Sequence, residues 1–186
     1  MMQNLWLKKT KLNYSKDVFD IVQFGSSIMV DSSPNDIDIA VIFFNIPIKE
    51  QLIQSQLIKE QLQKNSELLI HIKSYDLYFF FDESNFAKEN IIFYGKSVIA
   101  NDYFAKKLGF NPRIQISYSL KNLKKKDKIR FHYLLKGKKG NYGLLKKHGG
   151  SLINPGLIEI YPEYESVFIE PIKKLATNFK VKRILF

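Results

Sequence analysis

The chain has 186 residues, 45% of them hydrophobic, with no cysteine and a formal net charge of +11. Disulfides, thiolate metal sites and cysteine nucleophiles are therefore excluded, and His71, His132 and His148 are too scattered for a zinc site, so any metal must be held by oxygen. The sequence has no apolar run of about 18 residues and no secretory h-region, which makes a cytoplasmic protein without a membrane partner the expectation.

In chain order, residues 4 to 12 suit a short helix, and "VFDIVQFG" suits a strand ending at Gly25. The polar "VDSSPND" reads as a turn around Pro34, and "IDIAVIFF" as a buried, β-branched strand. Next, "KEQLIQSQLIKEQLQK" places Leu52, Ile53, Leu57, Ile58 and Leu62 at helical spacing, so a helix packed on the sheet is expected. "ELLIHIK" reads as a third strand with His71 half-buried in it. "YDLYFFFDES" either continues that strand past a bend or starts a helix, with a kinked junction preferred. "NFAKENIIFYGKSVIA" reads as a helix stopped near Gly95 by a left-handed cap.

Composition changes near residue 110. Residues 104 to 150 hold 14 Lys and Arg against one acid, Asp127, which leaves the rest of the chain near neutral. There "SYSLKNLKKKDKIRFHYLLKG" is plausible as helix and "KGKKGNYGLLKKHGG" as a glycine-punctuated loop around a short helix. The tail reads strand, helix, strand. Two domains are expected, residues 1–110 and a small basic α+β domain over 111–186.

The chemistry concentrates in "FGSSIMVDSSPNDIDIAVIF". Alternation along a strand sends Asp36 and Asp38 to one face while Ile37 and Ile39 enter the core. Two carboxylates that close repel each other, and Mg²⁺, a hard cation that prefers oxygen, is the economical way to relieve them. Gly25 lets a backbone approach closely, and Ser26 and Ser27 at the turn form a small concavity suited to phosphate.

The pair Gly25-Ser26, the spacer of about ten residues and the Asp36-Ile37-Asp38 that opens a strand resemble the nucleotidyltransferases of the DNA polymerase beta superfamily, in particular the minimal nucleotidyltransferases. The resemblance covers residues 15 to about 100. It implies an α/β (α+β) fold, a mixed sheet flanked by helices. It also implies that Gly25, Ser26 and Ser27 contact a nucleoside triphosphate, and that Asp36 and Asp38 bind two Mg²⁺ ions which align the α-phosphate for attack by a hydroxyl. A third carboxylate is implied on the strand after the helix; Asp76 is the choice, with His71 a substitute in that place. Met29 and Val30 stand where the family commonly has a second glycine.

In the basic segment, cations alternate with Phe131, Tyr133 and Tyr142, a pattern suited to phosphates and unpaired bases. The candidate nucleic-acid contacts are Lys124, Lys125, Lys128, Arg130, Lys136, Lys138, Lys139, Tyr142, Lys146 and Lys147. The combined expectation is transfer of a nucleoside monophosphate to a hydroxyl, most simply an RNA 3′ end. The alternatives are a catalytically inactive RNA-binding protein of the same fold, or transfer of AMP to a protein.

Overall fold

A computed structural model describes residues 6–7, 11–175 and 178–186. The short helix expected over residues 4–12 falls largely outside them. The chain is mixed α+β and divides into two compact units, one of residues 1–28 and 32–110 and the other of residues 29–31 and 111–186.

In the first unit, β1 (Val18–Phe24) runs through the 3₁₀ turn Gly25–Ile28 and a loop into β2 (Asp36–Phe43), then α1 (Ile48–Gln63) and β3 (Leu69–Asp76). The helical turn α2 (Leu77–Phe80) follows directly, so the strand and the turn abut at Asp76, whose side chain accepts from Tyr78 N and caps the turn. After it come α3 (Lys88–Tyr94), the short strands β4 (Lys96–Ser97) and β5 (Asp102–Tyr103), and α4 (Phe104–Lys107). The sheet order is β3-β2-β1-β4-β5. β2 and β3 are parallel because α1 carries the chain back over the sheet, and the remaining pairs are antiparallel.

Strand alternation gives the sheet two apolar faces. Ile37, Ile39, Val41 and Phe43 of β2 pack with Ile58 and Leu62 of α1. Ala40 and Ile42 face the other way, against Phe80, Ile91 and Phe104 from α2, α3 and α4. The apolar stripe of α1 does not face the sheet as expected. Its buried residues are Gln51, Ser55, Ile58 and Leu62, while Leu52, Ile53 and Leu57 are exposed. Polar contacts hold this rotation, since Ser55 Oγ meets Ser74 Oγ of β3 at 2.7 Å and Gln51 Nε2 donates to the Ile46 carbonyl.

Gly95 ends α3 at φ −57°, outside the left-handed region expected for its cap. The residue is needed for space instead: an added Cβ would lie 2.1 Å from the Ile91 carbonyl oxygen and 2.6 Å from Val22 Cγ1.

In the second unit, the segment read as helical opens on the last three residues of β6 (Pro112–Ser119), passes through a turn over residues 120–124, and becomes helical only in α5 (Lys125–Lys136). β7 (Gly137–Lys138) and β8 (Asn141–Tyr142) form a small hairpin that leads into α6 (Leu144–Lys147). The tail opens as a hairpin of β9 (Ser151–Asn154) and β10 (Leu157–Ile160) where a single strand was expected, then continues as α7 (Glu165–Leu175) and β11 (Asn178–Leu185). The antiparallel sheet order is β11-β6-β10-β9. Ile114, Ile116, Ile158 and Ile160 are buried in it, as are Phe131 and Leu135 of α5, Leu145 of α6, and Phe168 and Ile172 of α7. Among the described residues no helix is long and apolar enough to cross a membrane.

Candidate functional site

Asp36 and Asp38 stand at the start of β2, two residues apart on one face, with Ile37 1% and Ile39 0% exposed behind them. Asp36 keeps almost half of its side chain in solvent, and Asp38 is half-buried. Burial pushes the Asp38 carboxyl above the usual aspartate range and the Asp36 charge adds to this, while Lys73 and His71 act in the opposite direction.

The Gly-Ser turn is built against that pair. β1 ends with Phe24 opposite Asp38, and Gly25 follows at φ 78°, the left-handed region that glycine adopts without steric cost. A Cβ on Gly25 would come within 2.7 Å of Asp38 Oδ2, so the turn can approach the carboxylate only because residue 25 has no side chain. Gly25→Ala is therefore expected to destabilise the protein by about 1–2 kcal/mol from the backbone conformation alone. It should also displace the Asp38 carboxylate, an effect readable as a lower denaturation midpoint together with lost transfer activity.

Ser26, the next residue, is exposed, and its carbonyl accepts from Ser32 Oγ at 2.5 Å. For Ser27 the expected phosphate contact is corrected for the hydroxyl alone. Its side chain is buried, with Oγ accepting from Gln23 Nε2 at 3.0 Å and donating to the Phe24 carbonyl, so the hydroxyl holds the turn together.

Asp76 is also corrected. Parallel pairing sets His71 opposite Asp38, whereas Asp76 pairs with Phe43, five residues further along β3. At a rise of about 3.3 Å per residue it lies some 16 Å from the acid pair, and strand alternation assigns it to the opposite face from His71. Asp76 serves α2 as a cap. The position on β3 opposite Asp38 is taken by His71, named as the substitute, which is more exposed than expected, at 52% of its side chain; its Nε2 lies 4.0 Å from Asp36 Oδ2. Lys73, two residues on, shares that face. Neither signal was readable from β3 alone, because the register of β3 on β2 decides which residue meets Asp38.

The fit to a metal follows from these donors. Asp36 and Asp38 supply hard oxygen ligands in a repulsive pair, which suits one divalent ion. Among the described residues no group of three or more His, Cys, Asp or Glu side chains is arranged as a ligand cluster.

The second unit carries the basic candidates. Lys124 precedes α5; Lys125, Lys128, Arg130 and Lys136 lie on it; Lys138, Lys139 and Tyr142 belong to the β7–β8 hairpin, and Lys146 and Lys147 to α6. Arg130 is engaged with Asp127 at 3.7 Å. Lys146 Nζ lies 4.0 Å from the ring centre of Tyr142, which is 63% exposed, so a cation and an open ring face stand together there.

No family model, no curated protein and no solved structure matches this chain in the comparisons made with known proteins.

Proposed function

We propose that the chain is a nucleotidyltransferase that moves a nucleoside monophosphate from a nucleoside triphosphate to a hydroxyl of a nucleic acid, RNA in preference. The single observation that carries this reading is the Gly25 turn seated against the Asp38 carboxylate, with Asp36 beside it on the same open strand face. A phosphate bound at Gly25 and Ser26 would lie next to two hard oxygen donors, the juxtaposition that transfer from a triphosphate requires.

Asp36 and Asp38 would hold one Mg²⁺, which when bound neutralises phosphate charge and favours in-line displacement. In the reaction the acceptor oxygen forms a bond to the α-phosphorus, the bond from that phosphorus to the bridging oxygen breaks, and pyrophosphate leaves. The acceptor's proton needs a base, and His71, across from Asp38 in the neighbouring strand, is the imidazole on that face.

The test is incubation with each α-labelled nucleoside triphosphate, Mg²⁺ and either total RNA or total protein. Label on RNA is expected. His71→Ala should cost about 10²-fold or more in rate with little change in triphosphate affinity, and His71→Asp, which restores a carboxylate to that place, should recover activity. Label on protein would redirect the reading to AMP transfer onto a protein hydroxyl. A second reading, a non-catalytic RNA-binding protein, is favoured by Lys73, which supplies positive charge near Asp38 from the protein itself. It predicts no label anywhere with RNA binding intact.

A further inference from the structure

Helix α5 carries two interleaved stripes. Phe131 and Leu135, one turn apart, are buried, and Lys128, His132 and Lys136, also spaced by single turns, are exposed. In the second unit the helix overhangs a cavity of about 610 Å³ that the end of β6 and the β9–β10 turn complete. Its floor and walls include Tyr118, Phe131, Leu135, Leu145 and Leu152, with the Tyr118 and Phe131 rings 4.7 Å apart at 50°. Its rim is Lys121, Lys128, His132 and Lys136, and neither Asp nor Glu lines it. Asp127, the one acid on α5, is turned to Arg130.

These features restrict the guest. A small inorganic anion would leave the apolar floor in water, and a neutral apolar molecule would make no use of the rim. The fitting ligand has a flat apolar body and negative charges that repeat along it. Lys128 and Lys136, two helical turns apart, are separated by about 12 Å along the axis, which suits alternate charges on an extended polyanion. A duplex keeps its base faces stacked and out of reach, whereas an unpaired strand offers them.

We infer that this cavity seats an unpaired base of a single-stranded nucleic acid, with phosphates of the same strand on Lys128 and Lys136. The inference deepens the proposed function by naming the acceptor as single-stranded. It rests on reading the basic unit as a nucleic-acid binder, and is independent of the chemistry at Asp36 and Asp38.

The experiment uses the full chain carrying Asp36→Asn and Asp38→Asn, so that binding is read without turnover. Fluorescence anisotropy with fluorescein-labelled decauridylate, decathymidylate and a ten-pair RNA duplex is expected to show the duplex at least about tenfold weaker than the better single strand. The two single strands separate RNA from DNA as the source. Leu152→Lys adds a positive charge to the wall but fills the seat, so single-strand affinity should fall about tenfold or more. Lys128→Gln with Lys136→Gln, at exposed positions that do not endanger folding, should flatten the slope of log K against log salt by about 1.4.

Any one of these results would overturn the inference. One is equal affinity for duplex and single strand. Another is tighter binding by Leu152→Lys, which would mark a basic surface without a seat. The last is an unchanged salt slope in the double glutamine variant. Dodecanoate that binds the cavity without displacing decauridylate would likewise exclude a base as the occupant. Loss of label transfer with single-strand binding intact would sink the catalytic reading and leave this one standing.

Discussion

Asp38→Asn is expected to stabilise the folded chain at neutral pH and, in the same molecule, to lower nucleotidyl transfer by at least about 10²-fold. The two effects have one origin. Burial first, and the Asp36 charge second, hold the Asp38 carboxyl above its ordinary value of 3.8, with Lys73 and His71 opposing. The folded state therefore binds that proton more tightly than the unfolded chain does. Its contribution to stability is fully present below the unfolded value and is lost as pH rises through the folded value. At neutral pH the ionised group is a net cost that an amide removes, so the gain in melting temperature from Asp38→Asn should be larger at pH 7 than at pH 4. Mg²⁺ should raise the melting temperature of the natural chain and leave that of Asp36→Asn/Asp38→Asn unchanged, by mass action on a site that only the folded state presents. A loss of stability in Asp38→Asn at pH 7 would show that the carboxylate is retained for the fold, and would remove the case for a functional cost.

Lys107→Met should be among the most damaging single changes in the first unit, at about 3 kcal/mol at pH 7. Asp20 of β1 is 0% exposed, with Oδ1 accepting from Ser97 Oγ and from Ile21 N, each at 2.7 Å. Among the described residues its Oδ2 has no hydrogen-bond donor. Lys107 Nζ stands 3.4 Å away as an ion pair while donating to the Phe19 carbonyl, and it also lies over the Phe19 ring. The figure sits at the lower end of the range for broken buried pairs because Lys107 is one third open to solvent.

Desolvation already holds the Asp20 carboxyl above its ordinary value, against the Ser97 hydrogen bond and the Lys107 charge. Removing Lys107 pushes it further up, so the pH range over which stability is lost extends upward from the ordinary value, and the deficit should shrink on acidification toward pH 4. Asp20→Asn in the Lys107→Met background should recover most of the loss, since an amide oxygen still accepts from Ser97 and no charge is left buried. Urea denaturation of the four chains of this cycle measures the coupling directly. A deficit in Lys107→Met that is independent of pH would assign it to lost packing of the lysine stem on Phe19.

The first unit's strands were legible because their signals are local. "IDIAVIFF" declares a strand by its β-branched run, and the alternation within Asp36-Ile37-Asp38 assigns both carboxylates to one face before any partner is known. Gly25 was legible for a similar reason, since a glycine between a strand and a polar turn has few other uses. Ser27 was not, because its hydroxyl is claimed by Gln23 and Phe24 through the curl of the turn. The apolar count of α1 was correct and its orientation was not, since the Ser55–Ser74 contact depends on a strand that begins six residues after the helix ends. In the basic segment the charge was plain, but the strand β6 hidden at its start was not. Its backbone bonds are supplied by β10 and by β11, the latter some sixty residues later.

By itself the amino-acid order determined the mixed α+β character, the shared face of Asp36 and Asp38, the close approach allowed by Gly25 and the concentration of cations after residue 104. Each follows from periodicity, backbone freedom or charge within a few neighbouring residues. Only the tertiary structure decided that His71 rather than Asp76 meets the acid pair, and that Phe131, Leu145 and Leu152 enclose a cavity rimmed by lysines. Strand register and the joining of distant segments are set by the packing of the whole unit, where a slip of one residue turns every side chain to the other face.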